Sequence, residues 1–169
     1  GQRVAFTDEN YLRLRELADP ELIQVRGTEA PRGPVFSPDS QSIAFYASGE
    51  IRKVPITGGA PIRLADVRDN PVGMSWEEDG TILVAVPPGE IVRIPDTGGE
   101  PEVLVSADSG QWVQGPSLLP GGEWVLFALR EEGVTSFSDA QVVAQSLTTG
   151  ERRMLVAGGT EPRYHGTGH

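Results

Sequence analysis

The sequence predicts an all-β fold, a β-propeller of about four four-stranded blades, and three observations carry that prediction. A phrase made of an aromatic or leucine, an acidic or Gly/Pro turn and an apolar strand recurs about every forty residues, within the range of repeat architectures. Its copies are VFSPDSQSIAF (35–45), SWEEDGTILVA (75–85) and SLLPGGEWVLFA (117–128), and GQRVAF (1–6) opens inside a further one. A second phrase repeats behind it, as GEIRKVPITGGAPIRL (49–64) and GEIVRIPDTGGEPEVL (89–104), with fainter forms in YLRLRELADPELIQV (11–25) and AQVVAQSLTTGERRMLV (140–156). No stretch keeps the 3.6-residue period of a helix.

Each period holds short β-rich runs such as Ser42 to Phe45, Ile51 to Ile56, Ile62 to Leu64, Ile82 to Val86 and Val125 to Leu129. The 21 glycines and 14 prolines fall mostly between these runs and mark tight connections. Such punctuation fits a sandwich, a barrel or a propeller, and the long period selects the propeller. The repeats are expected at 1–33, 34–72, 73–114 and 115–161, with 162–169 supplying the inner strand of a further blade or of the first.

Within a blade, apolar residues at equivalent positions should pack against the next blade. Phe36, Trp76 and Leu118 form one such set, and Phe6, Phe45, Val84 and Phe127 another. The Ser37-Pro38-Asp39 corner closes a hairpin, because proline sets φ and aspartate accepts from backbone amides two residues on. Asp39 and its counterpart Asp79 therefore read as turn residues, since the repeat disperses equivalents around a ring instead of gathering them for catalysis.

Composition narrows the function. The net charge is −10 and no basic stripe exists, which argues against nucleic-acid binding. No apolar run approaches the roughly 20 residues of a membrane helix, so no membrane insertion by this chain is expected. The absence of cysteine removes disulfides and thiolate-bound metal, and it fits cytoplasm or periplasm alike. Neither a cofactor nor a metal is expected.

The phrases at 35–45 and 75–85, each followed by a strand, a Gly-Gly corner and another strand, resemble the TolB-like (WD40-like) β-propeller repeat family. The wording is closest to propellers attached to bacterial Ser/Thr kinases. The fourth copy departs from the family phrase, replacing the acidic turn by Pro120-Gly121-Gly122 and inserting REEGVTSFSDA (130–140). The resemblance implies a non-catalytic protein-binding, sensor or scaffold propeller with a protein or peptide partner, in a periplasmic or extracytoplasmic setting. The alternative it implies is the accessory propeller of a prolyl-oligopeptidase-type hydrolase, gating access to a catalytic domain.

Binding is expected on the face formed by the interblade loops, together with the loops between second and third strands. The interblade set is 26–33, 66–73, 106–115 and 157–163, which brings Arg32, Asn70, Trp112 and Arg163 to one mouth. The neighbouring set contributes Asp8, Glu9, Tyr46, Arg130, Glu131 and Phe137. For Arg32 and Arg163 the readings are neutralisation of nearby Asp and Glu, or bidentate recognition of a carboxylate. The 130–140 insertion is longer than its counterparts, a common place for added function.

An enzyme is not expected. Hydrolysis by a nucleophile needs a base and an orienting group in reach, yet no G-x-S-x-G phrase occurs and both histidines, His165 and His169, lie in the last five residues. The segment 159–169 reads like the start of another repeat, and the chain opens without the innermost strand of its first. Two outcomes follow: a spare strand closes the first blade, or the chain is part of a six-bladed ring. Either the ring closes, or exposed blade faces drive self-association or pairing with a complementary propeller segment.

Overall fold

The computed structural model describes residues 2–8, 10–19, 21–136 and 139–164. Among these residues fifteen strands form four antiparallel sheets in chain order. The first is three-stranded, β1 (Arg3–Thr7), β2 (Leu12–Glu16) and β3 (Leu22–Gln24). The second holds β4 (Arg32–Phe36), β5 (Ser42–Ala47), β6 (Glu50–Pro55) and β7 (Ile62–Asp66). The third holds β8 (Met74–Trp76), β9 (Thr81–Val86), β10 (Glu90–Pro95) and β11 (Glu102–Ser106), and the fourth β12 (Trp112–Leu118), β13 (Trp124–Arg130), β14 (Gln141–Ser146) and β15 (Arg152–Ala157). Among the described residues there is no α-helix. Strands β4 and β12 begin ahead of the repeat starts expected at 34 and 115. Residues 162–164 carry no strand, and 165–169 lie outside the described residues.

Alternation explains how four sheets make one body. In the second blade Ile43 and Phe45 point towards the first blade, joining Leu12, Leu14 and Val25 in one core, while Ala44 and Tyr46 point the other way. The second core sets Tyr46, Ile51 and Leu64 against Ile82, Val84 and Ile94 of the third blade. The third core sets Leu83, Ala85 and Ile91 against Val125, Phe127 and Leu129 of the fourth. Period-2 side-chain direction thus serves both faces of every middle blade.

Phe45, Val84 and Phe127 are buried as the repeat requires, and Phe36, Trp76 and Leu118 pack at the core edges. Phe6 is the exception at 38% exposure, because among the described residues no blade lies against its side of β1. The arc stays open: strands pack within blades and between sequential blades, and among the described residues no strand of the fourth blade packs along the first.

The hairpin corners follow the sequence rules. Asp39 Oδ1 accepts from the Gln41 backbone N–H at 2.9 Å and from Ser37 Oγ at 2.6 Å. The Ser37 hydroxyl, with the Gln41 amide behind it, lowers the Asp39 carboxyl below its usual range. Asp79 Oδ1 takes the same place in the third blade, accepting from Thr81 N at 3.0 Å and Thr81 Oγ1 at 2.6 Å. Glu77, in that same corner, reaches across to the fourth blade, where its Oε1 accepts from Leu118 N at 3.0 Å.

Candidate functional site

The loops between blades, following β3, β7 and β11, return the chain to the starts of β4, β8 and β12, all on one face of the arc. Neighbouring inner strands come closest there at glycines. A Cβ on Gly73 would lie 2.6 Å from Gly115 N, and one on Gly115 would lie 2.6 Å from Glu161 Cα. Backbone therefore meets backbone around the mouth, and these glycines have the positive φ that larger residues avoid, 142° and 60°.

Three of the residues expected at the mouth, Trp112, Arg130 and Glu131, are brought together by contacts around Gln111 and the end of β13. Trp112 opens β12, half-buried, and the Arg130 guanidinium stacks on its ring at 5.2 Å. Arg130 Nη1 also donates to the Val134 carbonyl, which pins the inserted loop to the end of β13. Glu131 Oε1 accepts from Gln111 Nε2 at 3.0 Å. Gln111 Oε1 in turn accepts from Asp108 N at 3.0 Å and Arg152 Nη1 at 3.1 Å. A ladder of side chains thus joins the insertion, the third interblade loop and β15.

The remaining candidates separate. Arg32 and Asn70 are exposed, Arg32 as the first residue of β4 opposite Tyr46. Tyr46 itself is a correction: it is 8% exposed and packed in the core between the second and third blades, since the alternation of β5 turns it inward. Asp8 sits apart on the first blade, where Arg13, then the backbone amides of Asn10 and Tyr11, hold its carboxyl down to about 2. Glu9, Phe137, His165 and His169 lie outside the described residues.

Arg163 corrects a second expectation. It neither pairs with a described carboxylate nor stands free for one, but donates from Nη1 to Pro116 O at 2.7 Å and from Nη2 to Met74 O at 2.9 Å. Its guanidinium bridges the inner strands of two blades. Sequence reasoning passed over Arg152, whose Nη2 reaches Ser106 O at 3.0 Å while its Nε donates to Gln145. Its signal was a divergence between copies, because Pro61 and Pro101 stand at the position that Arg152 takes in the fourth copy. Among the described residues no group of His, Asp and Glu is arranged to hold a metal ion. No helix is long and apolar enough to cross a membrane among them.

Solved structures with the same architecture decide the fold. A putative TolB from Agrobacterium tumefaciens superposes with a TM-score of 0.75 at 19% identity, over 95% of this chain and 64% of that one. TolB from Acinetobacter baumannii gives 0.71 at 20% identity, over 92% of this chain and 41% of that one. The chain has a TolB-like β-propeller fold. It spans about two fifths to two thirds of those TolB chains. An oligogalacturonate lyase in complex with manganese also superposes, with a TM-score of 0.63 at 14% identity over 92% of this chain and 50% of that one. No protein-family model matches the chain, and no curated protein does. A TolB-like propeller hosts unlike activities, so function must be argued from the mouth itself.

Proposed function

We propose that this TolB-like propeller is a non-catalytic module that binds a protein or peptide partner on its interblade-loop face. The observation that carries the reading is the joined group Gln111, Trp112, Arg130 and Glu131, built where the fourth copy departs from the repeat. An aromatic ring and a guanidinium held rigidly beside amide and carboxylate groups are what partner hot spots use. A scaffold role is supported by Asp39 and Asp79, both committed to their own turns. The test is selection of peptides from a displayed library on the wild-type protein, followed by affinity measurement on Trp112→Ala and on a variant shortened across 131–139. Selected peptides should lose at least about tenfold in affinity, the scale of a truncated hot spot. Equal affinity for all three proteins overturns the reading.

A specific observation favours a second contact, self-association through the uncovered blade faces. Val156 lies opposite Val142 as Ala65 lies opposite Ile51 and Val105 opposite Ile91. Ala65 and Val105 are covered by the following blade at 2% and 1% exposure, whereas Val156 is 53% exposed. On the other end of the arc Val4 and Phe6 stand where Ile43 and Phe45 are buried. The two faces differ, so a second copy would meet the first head to tail. Sedimentation at micromolar concentration should show an assembly, and Phe6→Arg combined with Val156→Arg should return a monomer. A monomeric wild type at that concentration sinks this contact.

A further inference from the structure

The inner strands are sheet edges. Among the described residues β8 pairs only with β9 and β12 only with β13, so the other side of each carries backbone groups that no described strand satisfies. Two carbonyls on these strands stand in equivalent places, Met74 directly after Gly73 and Pro116 directly after Gly115. The close approach of the two glycines sets the pair within the span of one guanidinium fork. Arg163 fills that fork, with both bonds at 2.9 Å or less.

The protein has 24 acidic side chains against 14 basic ones, and Arg3, Arg13, Arg52, Arg63, Arg93 and Arg153 each pair with a carboxylate. Arg163 has no described carboxylate within ion-pair distance and donates to two neutral carbonyls instead. It belongs to an exposed segment beyond β15 that contains a left-handed residue, Glu161 at φ 49°, directly before Pro162. That conformation repeats Ala30 at φ 45° before Pro31, in the loop leading to Arg32. The segment thus delivers an arginine to the mouth by the path the interblade loops use.

We propose that the carbonyl pair of Met74 and Pro116 is a recognition site for an arginine side chain of a partner, and that Arg163 occupies it in cis until displaced. The chemistry selects arginine over lysine, because two acceptors on separate strands match a planar fork and not a point charge. It also reverses the polarity expected from the sequence: this part of the mouth accepts a cation and does not offer one. Displacement is feasible because the internal occupant competes only at the effective concentration of a tethered group, on the order of millimolar. A partner that also contacts Trp112 or Glu131 gains enough to win. The inference rests on the reading of the mouth as a protein-binding face.

The probe is a short peptide, acetyl-Gly-Arg-Gly-amide, with its glutamine counterpart as control, titrated into isotopically labelled wild type and R163Q. The amide signals of Ser75 and Ser117, which share peptide groups with the two carbonyls, report occupancy. R163Q should show saturable shifts of both at a midpoint at least about tenfold below that of wild type, and none with the glutamine peptide, since removing a tethered competitor raises apparent affinity. Equal midpoints in the two proteins, no shifts in R163Q, or the same response to the glutamine peptide overturns the site. Should R163Q lose the native spectrum, R163K carries the same test, as it keeps the charge and loses the fork. Failure here, with loss of displayed-peptide binding on Trp112→Ala intact, removes the arginine site alone, whereas failure of both removes the mouth as an interface.

Discussion

Replacing Phe127 by alanine should destabilise the propeller by about 3–5 kcal/mol, the range for an aromatic ring deleted from a closed core. The ring is fully buried on β13, in the core that joins the third and fourth blades with Leu83, Ala85, Ile91 and Val143. Strands on both sides are held in antiparallel register, so the cavity cannot collapse without moving a sheet. Urea unfolding followed by circular dichroism should show a lowered midpoint. Phe6→Ala is the internal control: the same residue type at the equivalent position, 38% exposed, should cost the monomer under about 1 kcal/mol. Similar losses at the two positions would mean that the blades do not pack as described.

Gly73→Ala should cost about 3 kcal/mol or more, although it adds one methyl group. The new Cβ would lie 2.6 Å from Gly115 N and 2.8 Å from Gly115 Cα, and neither atom can swing away as a side-chain tip would. Backbone strain at φ 142° adds about 1–3 kcal/mol for a non-glycine residue. Gly49→Ala separates the two causes, because Gly49 has φ 86° and open space where its Cβ would be. It should lose only the strain contribution. A Gly73→Ala variant as stable as Gly49→Ala would show that neighbouring inner strands do not approach at this point.

Much of this molecule was legible because its cause is local. At the corners, Asp39 and Asp79 accept hydrogen bonds from the backbone amides two residues on, as their side chains predict. The alternation through Ile43, Ala44, Phe45 and Tyr46 commits each residue to one face of a sheet whatever lies against it. What alternation does not say is which faces are covered. Tyr46 looked like a loop-end residue at the mouth, and the third blade buries it. Phe6 looked like core, and nothing among the described residues covers it.

The site was legible only in part for the same reason. The insertion after Arg130 and the neighbouring Trp112 stood out as departures from the repeat, and the structure does join them. Arg163 was visible as an arginine near the mouth, but its partners are backbone carbonyls of Met74 and Pro116, which any sequence would carry. Arg152 drew no notice because its reach to Ser106 and Gln111 depends on how one blade leans on the next.

The sequence by itself determined the strands, their turns and the blade period, since period-2 patterning and turn chemistry act over a few residues. The tertiary structure alone decided how one blade leans on the next, which copies of a repeated face are covered among the described residues, and which atoms Arg163 reads. Those outcomes depend on distances between blades, and identical local phrases acquire different environments according to what stands beside them.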